Sequence, residues 1–411
     1  MLSLGLMSAV ASAQLDPLEC NNIDLEFTDC LDLVSLYNFT AGDNWLENGG
    51  WGSQNPTFWH GITIKAGTNR IQRIELPRNF LRGSLPPTFN GLEALEVLDL
   101  TDNAIDGEIP DHFATLPNLR ELRLSDNEFT GSFSDSFTYP DWIGDMTQLT
   151  VLELINNRFA GGFPANLNEL VDLRVLSVNN FDGQDFPLLR DLANLEHLDL
   201  SGSLILNGIP PWIGHLASLQ TLDLSDCRLS GPLPDTLGQL LQLRELRLSF
   251  NSFDGGLPAS ISQLTELEIL SVRGGNPRLD PRTLTGRLPA DIGNLVNLVE
   301  LDLFWQQLSG PLPASLGDLS ALESLNLSGN DFSGSLPETI VQLDLEEFLV
   351  GNNFLDSDSH QALILSPAQQ VWFDQIPQTV YPWPEVGQPL FVFDSLVQRP
   401  SPFLFMDRFE Q

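Results

Sequence analysis

The segment Leu219-Gln-Thr-Leu-Asp-Leu-Ser-Asp-Cys-Arg-Leu-Ser-Gly-Pro-Leu-Pro234 decides the fold, because variants of it recur along most of the chain. Such units open at Ile71, Leu95, Leu119, Leu149, Leu173, Leu195, Leu219, Leu243, Leu267, Leu298, Leu322 and Leu345, most of them 24 residues apart. A fixed period of this length is the signature of a repeat architecture, in which each unit packs on its neighbours. The sequence therefore predicts about twelve stacked coils.

Leucines alternate with polar residues at the start of each unit. Leu222 and Leu224 alternate with Thr221, Asp223 and Ser225, which is the period-2 pattern of a short strand with one buried face. Stacked strands of this kind form a parallel sheet, provided that each coil returns across the far side. We expect an α/β solenoid with twelve strands in one sheet, short second strands, and 3-10 or helical turns on the outer side.

The ninth position of each unit must hydrogen-bond loop backbone groups inside the coil. Asparagine occupies it at Asn79, Asn103, Asn127, Asn157, Asn251, Asn330 and Asn353. Cys227 stands there in its own unit, so we expect a buried structural thiol rather than a reactive one. Ser203, Gly275 and Gln306 are the looser substitutes.

The second half of the unit reads Leu-x-Gly-x-Leu/Ile-Pro, as in Leu308-Ser-Gly-Pro-Leu-Pro313. Glycine permits a tight turn, and proline ends the pairing run. With these motifs the sequence resembles the leucine-rich repeat family, and the Gly-x-Leu/Ile-Pro half is similar to the plant-type subclass, which also occurs in secreted bacterial proteins. The resemblance covers residues 71–355. It implies a right-handed curved solenoid whose concave sheet recognises proteins, peptides or glycans.

The N-terminal residues indicate export. Residues 1–13 contain a short apolar run that ends in Ala11-Ser12-Ala13, so we expect a signal peptide cleaved before Gln14. No later apolar stretch approaches the roughly 20 residues that span a bilayer, so no transmembrane segment is expected. In an oxidising compartment Cys20 and Cys30 are expected to form a disulfide, with two free thiols as the poorer alternative.

Residues 14–70 resemble the N-terminal cap of the family. Asp29 is expected to cap a helix over residues 30–39. We expect the aromatic residues that follow to plug the open end of the solenoid rather than to stack on sugars; they are Trp45, Trp51, Phe58 and Trp59. Plant members carry a second cysteine pair around this region, and its absence favours a bacterial-type cap. Residues 356–411 are expected to form a C-terminal cap and a Pro/aromatic-rich tail.

The charge balance limits the partners. Lys and Arg number 19 against 55 Asp and Glu, giving a formal net charge of −36. A polyanion is repelled by nucleic acid and by anionic lipid, so neither is expected as a partner. We expect a secreted monomer that binds a protein, peptide or glycan at the cell surface.

Alternation along the strands predicts which side chains face the concave surface. The central positions are Glu75, Asp99, Arg123, Glu153, Ser177, Asp199, Asp223, Arg247, Ser271, Asp302, Asn326 and Leu349. Asp199 and Asp223 should lie about 4.8 Å apart in backbone spacing, a like-charge pair that costs stability unless compensated. Arg247 in the next coil is the expected internal partner, and a cationic ligand or Ca²⁺ is the alternative.

A more informative group stands where the strands of units eight to ten end. It comprises Phe250, Arg273, Phe304 and Trp305, with Arg247 beside them. Clustered large aromatics with arginine are typical binding anchors. We predict that this group, with Asp199 and Asp223, forms a ligand-binding patch. The alternative is that the aromatics pack beneath the seven-residue expansion at residues 276–282.

Catalytic signals are absent from the sequence. The five histidines show no zinc-site spacing, and no nucleophile elbow, phosphate loop or kinase signature occurs. His197 beside Asp199 and Asp223 is interpreted as a surface cluster. We therefore predict no enzyme, no cofactor and no metal site, and a recognition module instead. The alternatives are a structural or adhesive surface spacer anchored by the tail, or an inhibitor of a glycan-degrading enzyme, which rests on family analogy alone.

Overall fold

The computed structural model describes residues 14–87, 89–131, 140–159, 161–162, 164, 166–183, 185–274 and 283–356. The expected signal peptide, the tail from residue 357, Gly275 and the expansion at 276–282 lie outside the described residues. We number the repeats 1 to 12 from their opening residues, Ile71 to Leu345.

Most of the described strands form one large sheet. Its thirteen strands within the described ranges are Ile62–Ile64, Ile71–Glu75, Val97–Asp99, Glu121–Arg123, Val151–Glu153, Val175–Ser177, His197–Asp199, Thr221–Asp223, Glu245–Arg247, Ile269–Ser271, Glu300–Asp302, Ser324–Asn326 and Glu347–Leu349. The twelve repeat strands pair in parallel and in register, as predicted. The sheet has one strand more than the twelve expected. The additional strand, Ile62–Ile64 of the cap, pairs antiparallel with the first repeat strand and covers its open edge.

Short second strands and outer turns complete the coils, as the sequence predicts. The second strands are Arg82–Ser84, Ala104–Glu108, Glu128–Thr130, Asp182–Gly183, Leu204–Ile205, Ser230–Pro232, Ser252–Asp254, Thr285–Gly286, Gln307–Gly310, Asp331–Gly334 and Phe354–Leu355. The outer turns are the 3-10 helices Asp111–Thr115, Asp141–Asp145, Leu167–Glu169, Pro211–His215, Asp235–Gln239, Ala259–Gln263, Ile292–Asn294, Ala314–Asp318 and Glu338–Gln342. Three further 3-10 helices lie near the N-terminus, at Pro17–Asn22, Gly42–Asn44 and Pro56–Phe58.

The leucines of each coil are buried by contact with the neighbouring coils, since a single coil cannot bury them alone. Leu222, Leu224 and Leu229 have no exposed surface, and Leu246 in the next coil is equally buried. The core is therefore continuous along the repeats, which is how a solenoid gains stability from stacking.

Asparagine at the ninth position satisfies the backbone inside the coil, as expected. Asn251 Oδ1 accepts hydrogen bonds from the N–H groups of Cys227 at 3.1 Å and Leu229 at 2.9 Å. Its amide nitrogen donates to the carbonyls of Leu224 at 2.7 Å and Leu248 at 3.0 Å. One side chain thus joins two coils. Cys227 is a buried free thiol, as predicted, and burial raises its pKa to about 12.

Gln306 performs the same role in repeat 10, where it was expected as a substitute. Its Oε1 accepts the N–H of Leu284 at 2.8 Å and its Nε2 donates to the carbonyl of Val272 at 2.8 Å. Ser203 fills the position in repeat 6, but its buried hydroxyl makes no hydrogen bond to any described residue.

The N-terminal cap contains the α-helix Phe27–Phe39 and the disulfide Cys20–Cys30, which confirms the predicted pairing. The expectation that Asp29 caps this helix was wrong, because the helix begins three residues earlier. Glu26 is the N-cap residue and makes no side-chain capping bond. Asp29 instead accepts the N–H of Ile71 at 2.7 Å and pairs with Arg70 at 3.1 Å. The carboxylate therefore ties the cap to repeat 1.

The cap aromatics fall into buried and exposed members. Trp45 and Trp59 are buried, and Trp51 stands between them with ring centroids 4.9 and 5.0 Å away. These three rings pack as the sequence predicts. Phe58 does not belong to the plug, since 70% of its surface is exposed. No helix among the described residues has the length and apolar character needed to cross a bilayer.

Two carboxylates buried in the cap are expected to make folding stability depend on pH. Burial raises the pKa of Asp29 and of Asp32 to about 6, against an ordinary value of 3.8. A carboxyl with a raised folded-state pKa contributes stability that is fully present below the ordinary pKa and is lost as pH rises through 6. We expect each carboxyl to add about 1 kcal/mol to the free energy of unfolding between pH 7.5 and pH 5.

Urea unfolding at both pH values measures this effect. Asp32→Asn should reduce the pH dependence, because asparagine does not titrate. The variant should still fold, since its amide oxygen can accept the N–H of Gly91 that now bonds Asp32 at 2.6 Å. Asp102→Asn, at an exposed position, is the control and should leave the dependence unchanged. An Asp32→Asn protein with the wild-type pH dependence would contradict the prediction.

Candidate functional site

The register of the sheet confirms that the predicted central positions align from one coil to the next. Asp199 pairs with Asp223, Asp223 with Arg247, and Ser271 with Asp302, so the central side chains form one row across the coils. Two positions further on, just past the strand ends, a second row contains Ser249, Arg273 and Phe304. Backbone hydrogen bonds from Phe250 N–H to Arg273 and from Gly274 N–H to Phe304 continue the stacking there.

The compensation expected for Asp199 and Asp223 differs from the structure. Arg247 does not form a salt bridge with either aspartate, since its guanidinium pairs with Glu245 on its own strand at 3.1 Å. Each aspartate instead accepts a backbone N–H two residues ahead, Asp199 from Ser201 and Asp223 from Ser225, both at 2.9 Å. Burial raises the pKa of Asp223 and the nearby charge of Asp199 raises it further, while the charge of Arg247 lowers it. Arg247 therefore compensates Asp223 in part, without a salt bridge.

The structure brings Arg273, Phe304 and Trp305 into contact, and Phe250 lies in the adjoining coil, where its backbone N–H donates to the Arg273 carbonyl. We call Phe250, Arg273, Phe304 and Trp305 the aromatic patch. The Phe304 and Trp305 rings meet edge to face with centroids 5.2 Å apart, and Arg273 Cζ lies 5.3 Å from the Phe304 centroid. Phe250 is 52% exposed, while Phe304 and Trp305 are half-buried. Large rings and a guanidinium therefore share one surface at the ends of three successive coils.

The backbone at the patch is held in a conformation that aromatics rarely adopt. The residue before the ninth position has positive φ in most repeats. The residues there are Arg78, Asp102, Asp126, Asn156, Asn180, Gly202, Asp226, Phe250, Trp305, Gly329 and Asn352. Asp, Asn and Gly tolerate this left-handed region, whereas a bulky side chain there costs roughly 1–3 kcal/mol. Phe250 at φ 60° and Trp305 at φ 59° thus retain large rings against local preference.

Two residues beside the patch were not predicted from the sequence to belong to the ligand-binding site. Asp302 is 8% exposed and lies 3.3 Å from Arg273, and Gly274 is buried between the coils of Phe250 and Trp305. A Cβ at position 274 would lie 1.8 Å from the Trp305 carbonyl oxygen. An alignment of the repeats places Asp302 and Gly274 beside the aromatic positions, so their proximity to the patch could have been predicted from the sequence.

No metal-binding geometry was found in the described ranges. No group of three or more His, Cys, Asp or Glu side chains there is arranged to hold a metal ion. His197 pairs with Thr221 in the sheet register, on the same strand as Asp199. The open row of strand ends instead presents apolar rings and a cation to solvent, an arrangement suited to contact with a ligand.

Stacked coils that each supply a concave strand, a buried ninth-position side chain and an outer turn define a leucine-rich-repeat solenoid. Residues 179–307 match the family described as a leucine-rich repeat region, and residues 69–129 and 321–343 match two leucine-rich repeat families. The chain belongs to the leucine-rich repeat proteins and its repeats are of the plant type. A search among proteins of curated function gave no match.

Several solved structures share the fold. The ectodomain of the Arabidopsis receptor kinase HAESA, in complex with an IDA peptide hormone, is 31% identical with a TM-score of 0.67, over 74% of this chain and 50% of that one. The Arabidopsis thaliana receptor kinase GASSHO1/SCHENGEN3, in complex with CASPARIAN STRIP INTEGRITY FACTOR 2, is 26% identical with a TM-score of 0.63, over 80% and 44%. The chain spans about half the length of these ectodomains.

A bacterial structure is similar over more of its own length. A leucine-rich repeat protein of Leptospira interrogans is 26% identical with a TM-score of 0.51, over 74% of this chain and 82% of that one.

Proposed function

We propose that this protein is a non-enzymatic, extracytoplasmic recognition module that binds an extended peptide or protein segment on its concave face. The site comprises the aromatic patch with Arg247, Asp199 and Asp223. The observation that carries the proposal is the retention of Phe250 and Trp305 at left-handed positions, where most other repeats carry Asp, Asn or Gly. Bulky side chains kept in a strained backbone conformation are typical of functional sites.

The dimensions of the patch support a peptide ligand. Phe250 and Trp305 are two coils apart, about 10 Å at the spacing of strands in a sheet. An extended peptide rises about 3.3 Å per residue, so three residues would cover that distance. The HAESA and GASSHO1/SCHENGEN3 ectodomains, which share this fold, were solved with a peptide hormone and with CASPARIAN STRIP INTEGRITY FACTOR 2, respectively.

Selection from a displayed library of random twelve-residue peptides tests the proposal. We expect the purified chain to enrich peptides whose affinity falls at least a hundredfold in Phe250→Ala/Trp305→Ala, because each central aromatic of an interface contributes about 2 kcal/mol. Dissociation constants would be measured by fluorescence anisotropy, with circular dichroism to verify folding.

Phe80→Ala is the matched control. Phe80 is also an exposed aromatic at positive φ, with 58% of its surface accessible and φ 58°, but it belongs to repeat 1. This variant should bind as wild type does. Peptides that bind the double variant equally well would place recognition elsewhere on the molecule. Failure to enrich any peptide on wild type would favour the spacer alternative.

A further inference from the structure

The cation of the aromatic patch is held by a single buried carboxylate. Arg273 Nε lies 3.3 Å from Asp302 Oδ2, while Asp302 Oδ1 accepts the N–H of Phe304 at 3.0 Å. The guanidinium also lies over the Phe304 ring. Its position is therefore fixed by an acid on one side and an aromatic face on the other.

The two partners of this ion pair differ in their access to solvent. The Arg273 side chain is 43% exposed, whereas that of Asp302 is 11% exposed. A ligand that approaches the concave face therefore meets the guanidinium before it meets the carboxylate. Arginine is well suited to such a contact, because its planar group offers five donors and only part of them is used by one carboxylate oxygen.

The charges around Asp302 leave Arg273 as its counter-ion within the described residues. Glu300 lies on the same strand, and Glu347 lies two coils further along the sheet. Both acids raise the pKa of Asp302, and Arg273 lowers it. Ser271 and Asn326, which flank Asp302 in the register, carry no charge. The ionised pair by itself is neutral, and loss of the Asp302 charge would leave Arg273 without a salt-bridge partner among the described residues.

We propose that Arg273 binds an anionic group of the ligand, beside an apolar group held by Phe250 and Trp305, and that Asp302 competes with that anionic group for the guanidinium. This inference rests on the site of the proposed function, but it does not require the ligand to be a peptide. It assigns Asp302 a role in specificity, because a ligand whose anionic group contacts Arg273 in poor geometry does not displace the Asp302 carboxylate.

The competition between Asp302 and the anionic group of the ligand is expected to depend on pH. Burial raises the pKa of Asp302 to about 6. Below that pH the carboxyl is protonated, the pair carries a net positive charge, and an anionic group binds without displacing an ion. Above it, the same group must compete with a carboxylate already in place. Binding of an anion should therefore strengthen as pH falls from 7.5 to 5.

A small aromatic carboxylate tests the inference without a known ligand. 4-Fluorobenzoate carries an anionic group beside a ring, and 4-fluorobenzamide is its neutral counterpart. Binding of each to the full chain would be followed by fluorine NMR line broadening at both pH values. We expect wild type to bind the benzoate about fivefold more tightly at pH 5, consistent with coupling energies of 1–3 kcal/mol, and the benzamide equally at both.

Three variants separate the possible causes. Asp302→Asn should bind the benzoate tightly at both pH values, because the competing carboxylate is gone. Its amide oxygen can still accept the Phe304 N–H, so the local backbone should be retained. Arg273→Gln should bind it weakly at both. Asp99→Asn is the matched control, because Asp99 occupies the same position in repeat 2 and accepts the Thr101 N–H at 3.0 Å. It removes the same charge from the chain and should behave as wild type.

Benzoate binding that survives Arg273→Gln, or that weakens in Asp302→Asn, would overturn the inference. Equal binding of benzoate and benzamide by wild type would do so as well. The proposed peptide recognition fails in a different experiment, through peptides that ignore the loss of Phe250 and Trp305, so the two failures are distinguishable.

Discussion

Replacing Asn251 with alanine is expected to lower the free energy of unfolding by about 4 kcal/mol, because it leaves several buried backbone groups without partners. The amide of Asn251 accepts two N–H groups of repeat 7 and donates to carbonyls of repeats 7 and 8. Asn251 is 9% exposed, so water cannot readily replace these bonds. The midpoint of urea unfolding measures the loss.

Ser203→Ala is the matched control for this change, since Ser203 fills the same position in repeat 6. Its hydroxyl is buried and lacks a hydrogen-bond partner within the described chain, so the substitution should alter stability by less than about 0.5 kcal/mol. If Asn251→Ala proved as mild as Ser203→Ala, the coils would be held together by leucine packing alone.

Gly274→Ala is expected to destabilise the protein by about 3 kcal/mol and to abolish ligand binding at the aromatic patch. A methyl group at this position would lie 1.8 Å from the Trp305 carbonyl oxygen, a backbone atom that cannot rotate away. The coil of repeat 10 would have to move, and Trp305 would move with it. Urea unfolding and peptide affinity, measured on the same preparation, check both parts of the prediction.

Gly351→Ala provides the comparison, because no heavy atom lies within 4 Å of a Cβ built there. This variant should lose less than about 1 kcal/mol and keep wild-type affinity. Wild-type peptide binding by a folded Gly274→Ala protein would show that the patch does not depend on close contact between these coils.

The sequence determined the repeat architecture, because the features that specify it are local and periodic. Alternating leucines, the ninth-position asparagine and the Gly-x-Leu-Pro segment each act within one coil or on the next. A residue such as Leu222 therefore indicates its burial from its position in the unit alone. The same register placed Phe250, Arg273, Phe304 and Trp305 in adjoining coils. The expected export of the chain separately predicted the disulfide between Cys20 and Cys30.

Only the tertiary structure decided how individual charges and caps are satisfied. Asp29 has the residue type of a helix cap, yet it lies within the first turn of the helix and bonds Ile71 of the first repeat, more than 40 residues away. Arg247 could have paired with the aspartate of a neighbouring coil or with Glu245, and the structure shows Glu245. These choices depend on side-chain rotamers and on distances of a few ångströms, which a repeating pattern does not encode. The salt bridge between Asp302 and Arg273 could not be predicted from the repeat pattern either, because its formation depends on the side chains that surround both residues.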